Sequence, residues 1–318
     1  MMAPSEFQPV FVVGCPRSGT TLLATLLDRH SRIAIPPETE FFLGVLPRNG
    51  RDRAGAAHEH YVDRLFSHPR TADLGLSREE VTARFRRYDP SYATLFMAAL
   101  EGYAAKEGKA RPGEKTPDHL RCVPRLLRLY PEARVVCIIR DGRDVVVSLN
   151  KTPWASKSLG RNCAKWNYYA MLAERYRGDF PGSFTVVRFE DLVRSPRVEL
   201  ARITSFLGEA MEEALLAPGG SKLVPAWERE WKSNSGAALD TSKIGQWRTS
   251  TKPAERAFMN RVMGRRLSRW GYPVESGRAA LGLLGAARAV VYGEPLSSRL
   301  FQVKIFLRAA LSSMGFEG

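Results

Sequence analysis

The run Phe11-Val12-Val13, followed by Gly14-Cys15-Pro16-Arg17-Ser18-Gly19-Thr20-Thr21 and then Leu22-Leu23, constrains the fold more than any other stretch of these 318 residues. A short apolar run reads as a buried strand, and Leu22, Leu23, Leu26 and Leu27 recur at helical spacing, so a helix with an apolar face follows. Gly14 and Gly19 let the intervening chain fold back until successive backbone N–H groups converge on one anion, with the positive end of the helix dipole behind it. A strand, loop and helix of this kind open an α/β fold that holds a phosphorylated ligand.

What the loop lacks narrows the ligand. A nucleoside triphosphatase loop ends in Gly-Lys followed by Ser or Thr, the lysine reaching the terminal phosphates and the hydroxyl holding magnesium. Here Thr20 stands at the lysine position, and the cation lies inside the loop at Arg17. A guanidinium grips phosphate or sulfate oxygens at two points, so the pattern argues against ATP or GTP hydrolysis. A cysteine phosphatase loop built on Cys15 needs an arginine six residues later, where Thr21 stands.

A second constellation begins at Arg134, where Val135-Val136-Cys137-Ile138-Ile139 forms a wholly apolar run of the kind buried in a parallel sheet. It ends in Arg140-Asp141-Gly142-Arg143-Asp144, and an arginine at the carboxyl end of such a strand faces the crevice where open α/β sheets bind ligands. Ser148 lies eight residues on, about two helical turns if a helix begins near Asp141, and can face the same anion. The plain alternative is a structural ion pair between Arg140 and Asp144, with Ser148 facing solvent.

Taken together the two loops resemble the paired cofactor signatures of sulfotransferases that use 3′-phosphoadenosine-5′-phosphosulfate (PAPS), with a motif pattern similar to that of tyrosylprotein and related bacterial sulfotransferases. The resemblance spans about residues 8–272. It implies an α/β fold with a P-loop-like central parallel sheet flanked by helices; the charged stretch at about 51–111 is helical in pattern and is expected to form a helical cap insertion beside the acceptor cleft. It implies that Arg17, Ser18, Gly19, Thr20 and Thr21 grip the 5′-phosphosulfate, and that Arg140 and Ser148 grip the 3′-phosphate. Pro36-Pro37-Glu38-Thr39-Glu40 looks like the element whose glutamate, here Glu38, is the general base. Gly113-Glu114-Lys115-Thr116-Pro117 looks like the element whose lysine, here Lys115, reaches the transferring sulfuryl group. In Val187-Arg188-Phe189-Glu190-Asp191-Leu192, Phe189 replaces the usual tyrosine, and Ser242-Lys243-Ile244-Gly245-Gln246-Trp247-Arg248 resembles the late loop that closes over the cofactor, contributing Lys243.

The implied activity is in-line transfer of a sulfuryl group from PAPS to a hydroxyl of a glycan, glycolipid, small molecule or protein tyrosine, leaving adenosine 3′,5′-bisphosphate. That chemistry asks for a base near the acceptor hydroxyl, cations around the sulfuryl oxygens and stabilisation of the leaving phosphate, and it requires no metal. Arg17, Lys115 and Glu38 supply these residue types. Burial beside Phe41 and Phe42 would suit Glu38 to proton abstraction. His119, three residues beyond Thr116, is the rival base. Two other classes stay open: a kinase-like phosphoryl transferase that has lost its loop lysine, and a non-catalytic nucleotide-binding protein.

Composition fits this reading. With 48 Lys plus Arg against 33 Asp plus Glu, the net charge of +15 creates a field that draws in polyanionic nucleotides. No zinc-ligand spacing, recognition-helix pattern or aromatic-basic signature points to nucleic acid. Cys15, Cys122, Cys137 and Cys163 are scattered without a Cys-x-x-Cys pair, as in a reducing compartment. The amino terminus shows no leader and no apolar run reaches membrane-spanning length, so the expected setting is cytoplasmic. A strand is expected at 184–187, with helices at 198–206 and 254–270. Acceptor choice falls to residues 39–112 and 151–180, where Trp154 and Trp166 are either stacking surfaces or core. The tail, 273–318, lies outside the resemblance. Its stretch 279–310 mixes bulky apolar residues with cations, which suits either peripheral contact with the inner face of a membrane or docking on the protein.

Overall fold

The computed structural model describes residues 4, 6–47, 52, 55–217, 222–225 and 239–274. They fall into two compact units. The larger holds the chain up to Gly14, Gly19–Ile138 and Tyr176–Leu239; the second holds Cys15–Ser18, Ile139–Arg175 and the described residues from Asp240 on.

The larger unit is built on a parallel sheet whose strands are β1 (Val10–Gly14), β2 (Ile33–Ala34), β3 (Arg111–Lys115), β4 (Arg134–Ile139) and β5 (Phe184–Arg188), in the order β2-β3-β1-β4-β5. The apolar run of the first motif is the central strand, and Phe11, Val12 and Val13 are buried because helices cover both faces of such a sheet. The register pairs Val12 with Lys115 on one side and with Val136 on the other. Lys115, the last residue of β3, therefore stands level with the residue two before Gly14.

Helix α1 (Thr20–Asp28) begins just past the loop, with Leu23, Leu26 and Leu27 buried as their spacing predicts. The stretch that follows β2 is helical as well, with α2 (His58–Phe66), a 3₁₀ turn at Pro69–Leu74, α3 (Arg78–Phe85) and α4 (Tyr92–Lys106). A capping box at Ser77 and Glu80 starts α3, and Ser91 caps α4. Helix α4 joins the core rather than lying over it. Phe96 stacks on Phe41 with ring centroids 4.3 Å apart and meets Phe11, Phe42 and Tyr130. The chain continues through α5 (Val123–Leu129) to β4.

The second unit contains α6 (Gly142–Asn150) and most of α7 (Leu159–Asp179). Beyond β5 in the larger unit lie α8 (Phe189–Arg194) and α9 (Pro196–Leu207). The second unit then resumes with a 3₁₀ turn at Thr241–Lys243, a short α10 (Trp247–Ser250) and α11 (Pro253–Arg269). Its centre is charged. Arg143, fully buried, lies 3.8 Å over the ring of Trp247, donates Nε and Nη2 to the two oxygens of Asp141, and donates Nη1 to Asn260.

The strand at 184–187 and the helix at 198–206 thus fall within β5 and α9, and the helix expected at 254–270 is α11, which ends one residue earlier at Arg269. The tail stretch 279–310 lies outside the described residues, and among those described no helix is long and apolar enough to cross a membrane.

Candidate active site

In the second unit the two arginine-bearing loops meet. Arg17 has a left-handed backbone, φ 74°, a conformation costly for a residue with a side chain and one that clusters at ligand clamps. Its Nε donates to Ser148 Oγ at 3.0 Å, and Arg140 Nη1 donates to the Arg17 carbonyl at 3.4 Å. Arg140 Nη2 donates to the carbonyl of Lys243 at 2.5 Å, so the late loop joins the same cluster. Lys243 itself turns its ammonium to Asp240, 3.6 Å away.

Ser18 is fully buried, and its Oγ has no hydrogen-bond partner among the described residues. A buried hydroxyl left in this way costs stability unless a ligand completes it. Gly19 adopts φ 101°, and a Cβ there would stand 2.6 Å from the Phe189 ring. Phe189, in the place where a tyrosine was expected, thus serves as the surface against which the loop glycine packs.

Two further residues support the cluster, and the first, Trp166, left no signal in local spacing. Trp166, wholly buried, donates its indole N–H to the Arg140 carbonyl at 3.0 Å, and any side chain at Gly142 would collide with its ring. Trp166 is therefore core, while Trp154 is half exposed, with Lys165 Nζ 5.5 Å from its ring. Asp144 lies 3.9 Å from Arg140, so the ion pair weighed from the sequence is present at long range. Its stronger bonds come from the late loop, whose Gly245 and Trp247 N–H groups donate at 2.7 and 2.9 Å. Burial raises the Asp144 carboxyl, against the pull of Arg140 and these two N–H donors.

In the larger unit the candidate base and the candidate lysine are bonded to each other. Lys115 Nζ, fully buried, donates to Glu38 Oε1 at 2.7 Å and lies 3.4 Å from Thr21 Oγ1 on α1. Thr20 and Thr21 are both buried at the start of that helix. The residue after Glu38 and the residue before Lys115 form a second bridge, in which Thr39 Oγ1 donates to Glu114 Oε1 at 2.9 Å. Glu114 also accepts from Thr116 Oγ1 at 2.5 Å and from His119 Nδ1 at 2.8 Å. Burial pushes its carboxyl up, but His119, Thr116 and Thr39 outweigh burial and hold it below the ordinary value.

His119 is fully buried, and both ring nitrogens are engaged: Nδ1 with Glu114, and Nε2 as acceptor from the Phe42 N–H at 3.3 Å. The rival base has no nitrogen open to an acceptor hydroxyl. Among the described residues no cluster of His, Cys, Asp and Glu suits a metal ion. None of the four cysteines is in a disulfide.

Known proteins resemble this chain in sequence and in fold. The sequence model of the Sulfotransferase family matches residues 9–213, more than half of the chain. The nodulation protein NoeE of Sinorhizobium fredii is 28% identical over 288 residues, covering 80% of this chain and 63% of that protein. A putative protein-tyrosine sulfotransferase of Caenorhabditis briggsae is 28% identical over 216 residues, covering 66% of this chain and 68% of that one. The chain thus spans about two thirds of the length of these relatives. Among solved structures, the sulfotransferase domain of the Synechococcus olefin synthase has a TM-score of 0.62 at 21% identity, covering 86% of this chain and 99% of that one, a likeness of fold. With the family match running from the first strand past the last, the chain belongs to the Sulfotransferase family.

Proposed function

We propose that this protein transfers the sulfuryl group of PAPS to an acceptor hydroxyl. The observation that carries the reading is the cluster of Arg17, Arg140 and Ser148 beside a buried Ser18 hydroxyl that lacks a partner. Phosphate oxygens would satisfy that hydroxyl beside two guanidinium groups, so the residues present fit the nucleotide.

When bound, PAPS supplies a sulfuryl group carried on a phosphate leaving group. In this reading Arg17, Ser18, Gly19, Thr20 and Thr21 hold its 5′ end, and Arg140 and Ser148 hold the 3′-phosphate. The bond from Arg17 to Ser148 puts Arg17 within reach of the residues assigned to the 3′-phosphate as well. The late loop, with Lys243, holds Arg140 through its backbone carbonyl. Glu38 takes the proton of the acceptor hydroxyl as its oxygen bonds to sulfur, and Lys115 and Arg17 offset the negative charge gathering on the leaving phosphate and the sulfuryl oxygens. None of these roles needs a metal.

The acceptor class we favour is a phenolic hydroxyl such as tyrosine, supported by the names of several relatives. Glycans and small-molecule alcohols are the alternatives. A cytoplasmic setting is part of the same proposal, supported by four cysteines none of which is in a disulfide.

The test is a transfer assay with ³⁵S-labelled PAPS, EDTA and three acceptors in parallel: a tyrosine peptide, a chitooligosaccharide and p-nitrophenol. Label should move to at least one acceptor, releasing one adenosine 3′,5′-bisphosphate per sulfuryl group. A protein that labels none of them, or that consumes ATP with magnesium instead, contradicts the proposal.

A further inference from the structure

Residues 36–40 belong to no strand or helix, yet they carry the candidate base. What holds this irregular segment against β3 is a ladder of side chains. In an extended strand successive side chains point to opposite faces, so Glu114 and Lys115 diverge, and the facing segment answers with Glu38 and Thr39. The first rung is Glu38 to Lys115 and the second is Thr39 to Glu114. A third runs from the Glu40 N–H to Thr116 Oγ1 at 3.2 Å.

Glu114 sits at the centre. It is wholly buried and gathers Thr39, Thr116 and His119, with the Thr39 N–H further off at 3.4 Å. Thr39 Oγ1 also accepts from the Phe41 N–H at 3.2 Å, and His119 Nε2 accepts from the Phe42 N–H. The carboxylate thereby fixes, directly or through one residue, the backbone of positions 39, 40, 41 and 42, which follow Glu38.

We propose that Glu114, acting through Thr39, Thr116 and His119, is the positioning residue for the Glu38–Lys115 pair. It touches neither reactant, and its role rests on the reading of Glu38 as the base. Catalytic geometry tolerates little drift: a displacement of about 1 Å at a reacting group costs about 100-fold in rate. A buried carboxylate with several donors is a stiff anchor, because each donor would be left unsatisfied if the segment moved.

Glu114→Gln keeps the shape but presents an amide N–H₂ to one of those donors. If it faces His119, the imidazole must switch tautomer, and its Nε2–H then opposes the Phe42 N–H. With the best of the three acceptors, Glu114→Gln should lower kcat about 100-fold, while KM for PAPS and the calorimetric Kd for adenosine 3′,5′-bisphosphate stay within about twofold. His119→Gln, which offers one donor and one acceptor, should restore most of the kcat that His119→Phe loses. That pair decides the matter if Glu114→Gln does not fold.

Wild-type kcat in Glu114→Gln, in a protein that Glu38→Gln inactivates, would overturn the role while leaving the proposed function intact. So would parallel loss of kcat and nucleotide affinity, which marks a merely structural residue. Equal activity in His119→Gln and His119→Phe would overturn it too. A native protein that labels no acceptor would instead remove the proposed function, and this role with it.

Discussion

The ladder and the arginine cluster treat buried polarity in opposite ways. In the ladder every charge is answered inside the protein: Glu38 has Lys115, and Glu114 has three donors, two hydroxyls and an imidazole N–H. In the cluster the two guanidinium groups donate to carbonyl and hydroxyl oxygens, with Asp144 3.9 Å from Arg140, and the Ser18 hydroxyl is buried without a partner among the described residues. The first arrangement stabilises the protein from within and fixes geometry. The second gathers positive charge and donors that an anion would complete. The contrast separates residues whose loss harms transfer and stability from residues whose loss harms binding.

Four measurements can break or sharpen that contrast. The largest effect belongs to Glu38. Glu38→Gln should lower kcat by about 1,000-fold, within the range for a general base, with nucleotide affinity nearly unchanged. Glu38→Ala should in addition lower unfolding stability by about 3 kcal/mol, because it removes the carboxylate that balances a fully buried ammonium. Chemical denaturation reads the second effect, and unchanged stability would mean that Lys115 is neutralised in some other way.

Arg17→Ala comes next. It should cost about 2.7–4 kcal/mol of transition-state stabilisation and, unlike Glu38→Gln, should weaken adenosine 3′,5′-bisphosphate in a calorimetric titration. A variant that binds normally but turns over slowly would move Arg17 from the binding class to the ladder's class. Smaller again is Trp166→Phe, which removes the indole N–H from the Arg140 carbonyl. The net loss of one such bond is about 1 kcal/mol, read as a drop of about fivefold in nucleotide affinity.

The mildest effect is one of pH. Because the Glu114 carboxyl is held below its ordinary value of 4.5, its contribution to stability is complete above that value and is lost as pH falls through the depressed folded value. The native protein should therefore lose stability in that acid range more steeply than Glu114→Gln. Parallel curves would show that the carboxyl is not held in its ionised form.

The sequence made the binding loops legible because their chemistry is local. A strand, a folded-back turn and a helix lie within Val10–Asp28, and Arg140 follows directly on β4. The helical nature of the stretch 58–106 was also readable from its pattern, whereas the place of Phe96 in the central aromatic core was not, since that depends on which rings meet across the fold. The ladder was half visible. Glu38 and Lys115 stood out as residue types, but their bond joins positions 77 apart, and no spacing announces such a pairing. His119 looked like a rival base because sequence shows a residue's chemistry and not its partners, and both of its nitrogens proved to be engaged. Trp166 gave no sign of its bond to Arg140, which depends on the packing of α7 against the start of α6.

The central claim is that the two arginine loops serve one bisphosphorylated nucleotide, and calorimetry tests it most directly. Native protein titrated without metal should bind adenosine 3′,5′-bisphosphate about 100-fold more tightly than 5′-AMP, and Arg17→Ala and Arg140→Ala should each erase most of that preference. Equal affinity for the two nucleotides, or a preference for ATP with magnesium, would contradict the account.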